Sequence, residues 1–300
     1  MAKPFTRLLS VVAISCFSSF VSAQTPAPNF MPDGSHDLYV GLGVQLRPRY
    51  EGAGESRTVA LPVTQLQWSN GIFIAGTSLG IHLSDQTRYE FGPLVEVMGP
   101  RSPSGTKKLF GDIGTTSLSG GTITITPDGT PTSVPPRPPG IPPKNKLLGL
   151  DNIRTRLLYG GFFHFNFSDQ IRLTNTLLYG AGNDADGLRW VSDLRYQIPS
   201  FAQHHHVSVA AGVSVVNQAY NQAFFGVTAL EARRSGNRAY TASAGVKDIH
   251  ADLHWNWALS SSWLLTSSIN VTRLTGSAAD SPLVERRSNA SVSSAIAYRF

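Results

Sequence analysis

The sequence has little of what disulfide-stapled proteins and helical membrane proteins are built from. Its only cysteine, Cys16, lies in an apolar stretch near the beginning, residues 8–20. No other run approaches the roughly 20 apolar residues that a transmembrane helix needs. Charged residues make up only 15% of the chain, and the formal net charge of +6 is weak evidence for a nucleic-acid partner. Stabilisation by disulfides, a bundle of membrane helices and nucleic-acid binding are therefore all disfavoured.

The first 23 residues have the pattern of a secretory signal peptide. Lys3 and Arg7 precede the apolar stretch, and small residues stand at the cleavage-determining positions up to Ala23. We predict cleavage after Ala23, followed by a flexible periplasmic segment over residues 24–37. The three residues before Cys16 match a lipoprotein signal poorly, so the cysteine is expected to leave with the leader. The exported protein then has to be stabilised without disulfides.

Beyond the leader, apolar side chains recur at every second position. The clearest run covers residues 249–259, where the odd positions are apolar and the even ones read His250, Asp252, His254 and Asn256. Several such runs reach 11 residues. A tilted strand that crosses a bilayer needs about 9–11 residues, whereas ordinary strands average nearer 5–6. The pattern predicts an all-β protein, an antiparallel transmembrane β-barrel over residues 38–300.

The end of the chain supports the same prediction. Alternation continues through Tyr298 to the terminal Phe300, as in the last strand of a bacterial outer-membrane barrel. Even positions there are expected to face lipid, and the strand is expected to pair with the first one, near residues 38–46, to close the barrel. Tyr298 and Phe300 are our candidate membrane-closure residues, and the bacterial outer membrane is the predicted location.

The strand count is set by the alternating runs and by the even number usual in such barrels. Eleven runs are readable, so we predict about twelve strands, with ten as the alternative, and place the missing strand in the run from Thr122 to Thr126. Short turns are expected on the periplasmic side and long loops outside. A proline-rich insertion at residues 127–143 is predicted to be a loop. The eleven runs are 38–46, 57–68, 71–83, 87–98, 153–167, 170–181, 187–198, 205–216, 243–259, 262–274 and 288–300.

Several strings in the chain resemble the MipA/OmpV family of outer-membrane proteins, named for the MltA-interacting protein. They follow the family's order and spacing from about residue 38 to the end, and those at 217–248 and 275–285 are the most specific. The proline-rich insertion departs from the common pattern. The strings are GLGVQLRPRYEG (41–52), FGPLVEV (91–97), NQAYNQAFFGVT (217–228), SGNRAY (235–240), GVKD (245–248) and TGSAADSPLVE (275–285).

The resemblance implies a scaffold or adaptor that joins a periplasmic murein hydrolase to a peptidoglycan synthase, although some members are regarded as surface adhesins or antigens. Two of the strings occupy predicted external loops. Tyr220, Phe224 and Phe225 in one, and Asp280 and Pro282 in the other, are candidate partner contacts; the alternative is that both loops are structural plugs. The other expected partners are the lipid bilayer, lipopolysaccharide and the outer-membrane assembly machinery.

Two further functions compete with the scaffold. A hydrolase would use the histidines of one strand, since Asp252 is placed to orient His250 or His254, but no serine stands out as a nucleophile. His204 to His206 have diverging side chains, and no metal or cofactor motif is present, so we predict no enzyme, metal or cofactor. A narrow channel for small polar solutes is the other alternative. The predicted lumen charges would then either cross-link the interior or line a pore; they are Arg88, Glu90, Glu96, Arg154, Arg156, Arg172, Arg189, Asp193, Arg195, Lys247, Asp248, Asp252 and Arg273.

Overall fold

The computed structural model describes residues 34–84, 86, 88–106, 145–199 and 202–300. The predicted leader, most of the predicted periplasmic segment and the proline-rich insertion lie outside these residues. Fourteen strands are present in the described part of the chain. They are β1 His36–Pro48, β2 Ser56–Trp68, β3 Ile72–Ala75, β4 Ser78–Ile81, β5 Tyr89–Met98, β6 Arg101–Ser102, β7 Gly105–Thr106, β8 Arg156–Asn166, β9 Ile171–Ala181, β10 Gly187–Ile198, β11 His205–Val216, β12 Gly245–Ala258, β13 Trp263–Leu274 and β14 Ser288–Arg299.

Twelve of these strands form one closed antiparallel barrel, as the sequence predicted. The order around the wall is β1-β14-β13-β12-β11-β10-β9-β8-β5-β4-β3-β2, and β6 and β7 form a separate small hairpin. The last strand closes onto the first, with Val40 opposite Tyr298 and the Phe300 amide donating to the Leu38 carbonyl at 3.0 Å. Because the two strands pair, neither has an unpaired backbone edge at this seam, and lipid cannot hydrogen-bond such an edge.

The twelfth strand comes from a different place than predicted. The run at residues 71–83 is not one strand but two short ones, β3 and β4, which reverse direction at Gly76 and Thr77. The alternation is similar on either side of the turn, so the pattern alone does not reveal it. The run from Thr122 to Thr126, where we had placed the missing strand, lies outside the described residues, and β5 pairs directly with β8.

The wall separates an apolar exterior from a polar interior. On β1, Leu42 and Val44 are 64% and 57% exposed, while Gln45 and Arg47 on the other face are buried. Even positions of β14 face outward, in agreement with the predicted register. Three of the predicted lumen charges are corrections. Arg273 lies opposite Ile249 on the outer face. Arg88 and Arg154 are exposed and lie outside the strands, so none of the three is a lumen residue. In the described part of the chain no helix is long and apolar enough to cross a bilayer.

The two rims of the barrel differ. On the rim that carries Phe300, strands are joined by short segments at 69–71, 82–88, 167–170, 199–204 and 259–262. The other rim carries the longer loops, so it is the external one. Three short helices lie in those loops: α1 Gln218–Phe225, α2 Ala229–Ser235 and α3 Gly276–Ala279. Asn217 caps α1, and Thr228 and Glu231 form a capping box on α2, which fixes where each helix begins.

Candidate functional site: the lumen and its external mouth

Buried ion pairs cross one side of the lumen. Arg172 donates to Glu90 at 2.7 Å, and Arg189 contacts Glu96 at 3.0 Å. In both pairs the side chains are at most 5% exposed. A buried charge is tolerated only when it is paired and hydrogen-bonded, so each partner holds the other in place. These contacts tie β5 to β9 and β10 through the interior.

A second network lies nearer the external mouth and involves five ionisable residues. Lys247 Nζ contacts both Glu51 carboxylate oxygens at 2.9 Å and Asp248 at 3.0 Å. Asp248 accepts from His250 Nδ1 at 2.8 Å, and His250 Nε2 faces Asp193 at 2.7 Å. Both ring nitrogens of His250 therefore face carboxylates. The network joins the first external loop to β10 and β12.

The predicted role of Asp252 as the carboxylate that orients a histidine is wrong for His250, whose carboxylate partners are Asp248 and Asp193. Asp252 instead accepts from the Asn270 amide at 2.8 Å. Ligand atoms of Asp193, His250 and Asp252 lie within 4.8 Å of one another, but a metal ion there would have to displace Asp193 from His250 Nε2. In this arrangement His250 links the Asp248 and Asp193 carboxylates.

The triple histidine does not converge on one point. His205 stacks on Trp255 and Trp257, with ring centroids 5.8 and 5.2 Å away, and Trp255 donates to His205 Nδ1 at 3.1 Å. His206 lies opposite Asn256 in the ladder, on the other face of the strand. Because neighbouring side chains on a strand point to opposite faces, these two rings are directed away from each other.

The external loops fold inward over the mouth. Tyr220 and Phe225 of α1 are buried, and Phe224 is half-buried against the lumen core. Arg101 reaches this helix from the β6–β7 hairpin, donating to the Phe224 carbonyl at 2.6 Å. Ser281 donates to the Phe225 carbonyl at 2.6 Å. Helix α1 is thus held between two other loops.

The last external loop is joined to the first. Tyr50 donates to the Leu283 carbonyl at 3.0 Å. Burial, and after it the nearby Glu285 carboxylate, raise the pKa of Tyr50 above its usual value, so the hydroxyl stays protonated and remains a donor. Asp280, by contrast, is exposed and pairs with exposed Arg287 at 2.9 Å, and Pro282 is partly exposed beside it. Of the five candidate contact residues, Asp280 and Pro282 are the accessible pair; a partner-contact role for any of the five stays a prediction.

A cavity of about 240 Å³ lies beneath α1, beside the second ion-pair network. One wall is apolar and includes Leu61, Val63 and Met98. A second wall carries hydroxyl, amide and imidazole groups from β12, β13 and β14. Sequence reasoning had assigned the lumen its charges but missed this two-sided cavity, since alternation does not reveal which lumen residues face one another.

Glu51 was also missed, although it stands inside one of the family strings. It lies in a loop, outside any alternating run, and its partner Lys247 is 196 positions away. No local pattern links the two residues. The contact between Lys247 Nζ and the Glu51 carboxylate can be recognised only when the positions of β1 and β12 in the closed barrel are known.

The sequence and the fold were compared with those of known proteins. A family model described as MltA-interacting protein MipA matches residues 40–300. The chain belongs to the MipA family. The match covers the barrel except for the first four residues of β1. The closed wall with an apolar exterior places this MipA-family chain in the bacterial outer membrane. No curated protein matches it.

Several solved structures also align with the MipA-family chain. The NanC porin is 7% identical, with 89% of this chain and 100% of that chain covered and a TM-score of 0.35. A bacterial polysaccharide outer membrane secretin is 7% identical over 90% and 100%, with a TM-score of 0.41. A Pseudomonas aeruginosa FadL homologue is 8% identical over 88% of both chains, with a TM-score of 0.31.

Proposed function

We propose that this protein is a non-enzymatic scaffold of the outer membrane, which holds a periplasmic murein hydrolase, and with it a peptidoglycan synthase, at the membrane surface. The observation that carries the proposal is that the lumen is cross-linked and its mouth is covered. Buried ion pairs cross-link the interior, and α1 lies under the neighbouring loops at the mouth. A barrel obstructed in this way is better suited to holding partners than to passing solutes. The family's own description, an interacting protein of MltA, points in the same direction.

A channel is the main competing function, and conductance separates the two. We expect the purified protein to give no stable conductance steps in planar bilayers, because the ion pairs and α1 block a continuous water path. Insertion is confirmed separately by the slower gel migration of unheated, folded protein. Stable steps of uniform size from the wild-type chain would contradict the scaffold proposal and favour the channel.

The periplasmic rim is the surface on which the scaffold would meet murein enzymes. Asn70, Asp169 and Ser261 are exposed in three of its short turns. We expect a photo-crosslinking amino acid at each of these positions to capture a murein hydrolase in intact envelopes. Asp280, exposed on the external rim, is the matched control and should capture none.

The same experiment distinguishes the remaining alternatives. Absence of any murein enzyme at all three periplasmic positions would contradict the scaffold. Capture of host-surface or matrix proteins at Asp280 instead would favour an adhesin, and would give the Asp280 and Pro282 loop the contact role that the sequence suggested.

A further inference from the structure

One strand of the wall has an incomplete edge. β2 pairs with β1 along its whole length, but on the other side β3 covers only residues 65–67. The last bond on that side runs from the Gly76 amide to the Thr64 carbonyl at 2.9 Å. Among the described residues, none pairs with residues 56–63 of β2 on the side away from β1. Within the described residues, the wall is therefore interrupted in its external half.

A proline stands on the edge of β2 that faces this interruption. Along a strand, successive residues direct their backbone polar groups to opposite neighbours. Thr64 directs its carbonyl toward β3, so Pro62, two residues before it, occupies a position that faces the same side. Proline has no amide to donate and is found where a strand lacks a partner on that side.

The interruption has a frame on all sides. Gly76 and Thr77, at the tip of the short β3–β4 hairpin, form its periplasmic border, and β2 and residues 98–101 form its flanks. The β6–β7 hairpin closes it externally, since Thr106 donates to the Arg49 carbonyl at 2.9 Å and Arg57 donates to the Ser104 carbonyl at 3.2 Å. We call this framed interruption the lateral window.

The lumen cavity lies directly behind the lateral window. Thr77, Met98 and Thr106 belong both to the frame and to the lining of the cavity, and Leu61 and Val63 line it from β2. An apolar surface therefore begins at the window and leads inward. It ends at the polar wall formed by β12, β13 and β14.

That polar wall carries the imidazole of His254. His254 lines the cavity and is 8% exposed, yet in the described part of the protein neither of its ring nitrogens has a hydrogen bond. Leaving a buried polar group without a hydrogen bond carries a free-energy cost. A ligand that hydrogen-bonds His254 would remove this cost.

From these observations we infer that the cavity is a binding site for a small amphipathic molecule that enters from the outer leaflet through the lateral window. The apolar body of the ligand lies against Leu61, Val63 and Met98, and its polar group hydrogen-bonds His254. Size agrees with a molecule of one or two rings, since an apolar cavity of about 150 Å³ already holds benzene and this one is about 240 Å³. The site is independent of the scaffold function.

Access through the window can be measured with a cysteine at Val63. The only native cysteine is in the predicted leader, so Val63→Cys gives a single reactive thiol in the cavity. We expect an alkyl maleimide dissolved in the bilayer to modify it about tenfold faster than Ser208→Cys, a difference of about 1.4 kcal/mol in the barrier. Ser208 is equally buried and lines the lumen on β11, away from the window. Leu61→Cys is the second reporter if Val63→Cys fails to fold.

Blocking and occupying the site complete the test. Thr77→Trp on the Val63→Cys background should slow modification about tenfold, whereas Leu79→Trp, on the lipid face of the same hairpin, should not.

Saturating 2-naphthol should protect Val63→Cys from modification, and His254→Phe should abolish that protection while keeping a ring in place. Equal rates for Val63→Cys and Ser208→Cys would overturn the window, and fast modification without protection by 2-naphthol would overturn the binding site.

Discussion

Replacing Lys247 by methionine is expected to lower the free energy of unfolding by about 3–5 kcal/mol, the usual cost of removing one member of a buried ion pair. Lys247 is 2% exposed and contacts Glu51 and Asp248 at 2.9 and 3.0 Å. Its removal leaves the buried Asp248 carboxylate without its cation and releases the first external loop. Urea titration of the protein in phospholipid vesicles, followed by tryptophan fluorescence, measures the change.

Arg287→Met is the matched control, because it removes a cation from an ion pair on the same rim. Arg287 and Asp280 are 60% and 63% exposed, and exposed pairs contribute about 0–1 kcal/mol. A second variant, Lys247→Met combined with Asp248→Asn, should recover part of the loss, since the uncompensated charge is gone. If Lys247→Met costs no more than Arg287→Met, the buried network does not stabilise the mouth.

The second large effect is expected at the seam that closes the barrel. Gly43→Val should lower the free energy of unfolding by about 1–3 kcal/mol, or by more if the strands cannot move apart. A side chain at Gly43 would meet the Ser294 carbonyl and the Ala295 side chain of β14, and its Cβ would lie 2.6 Å from the Ala295 Cα. The folded fraction, measured by gel migration without heating, should fall accordingly.

Val44→Leu provides the control for that seam. Val44 is the next residue of β1 but faces lipid and is 57% exposed, so an added methylene meets no part of β14. We expect its folded fraction to equal that of the wild type. A Gly43→Val protein that folds and unfolds like the wild type would mean that β1 and β14 do not approach closely at this level.

Much of the wall was predictable because a transmembrane strand has a simple rule. Each residue faces either lipid or lumen, and the apolar one faces lipid, so β10, β11 and β12 were located to within a few residues. The register of β14 followed from the terminal Phe300 by counting back in steps of two. The same rule failed at Arg273, which lies at the rim, where water is available to an outward charge.

The short β3–β4 hairpin is the clearest case of what alternation could not supply. A turn that reverses the chain without breaking the two-residue period leaves the pattern almost unchanged. Pro62 was a local sign that β2 lacks a neighbour there, and only the pairing of β2 gave it meaning. The lateral window follows from that pairing.

By itself, the sequence determined that the protein lies in a membrane, that its fold is an antiparallel β-barrel, and which face most residues present, because these depend on the local period of polar and apolar side chains. The tertiary structure alone decided which lumen groups meet. Glu51 and Lys247 are far apart in the chain, as are Asp193 and His250, and they come together only because the wall closes on itself. Pairing across a lumen depends on strand order and stagger, and neither quantity is written in any single strand.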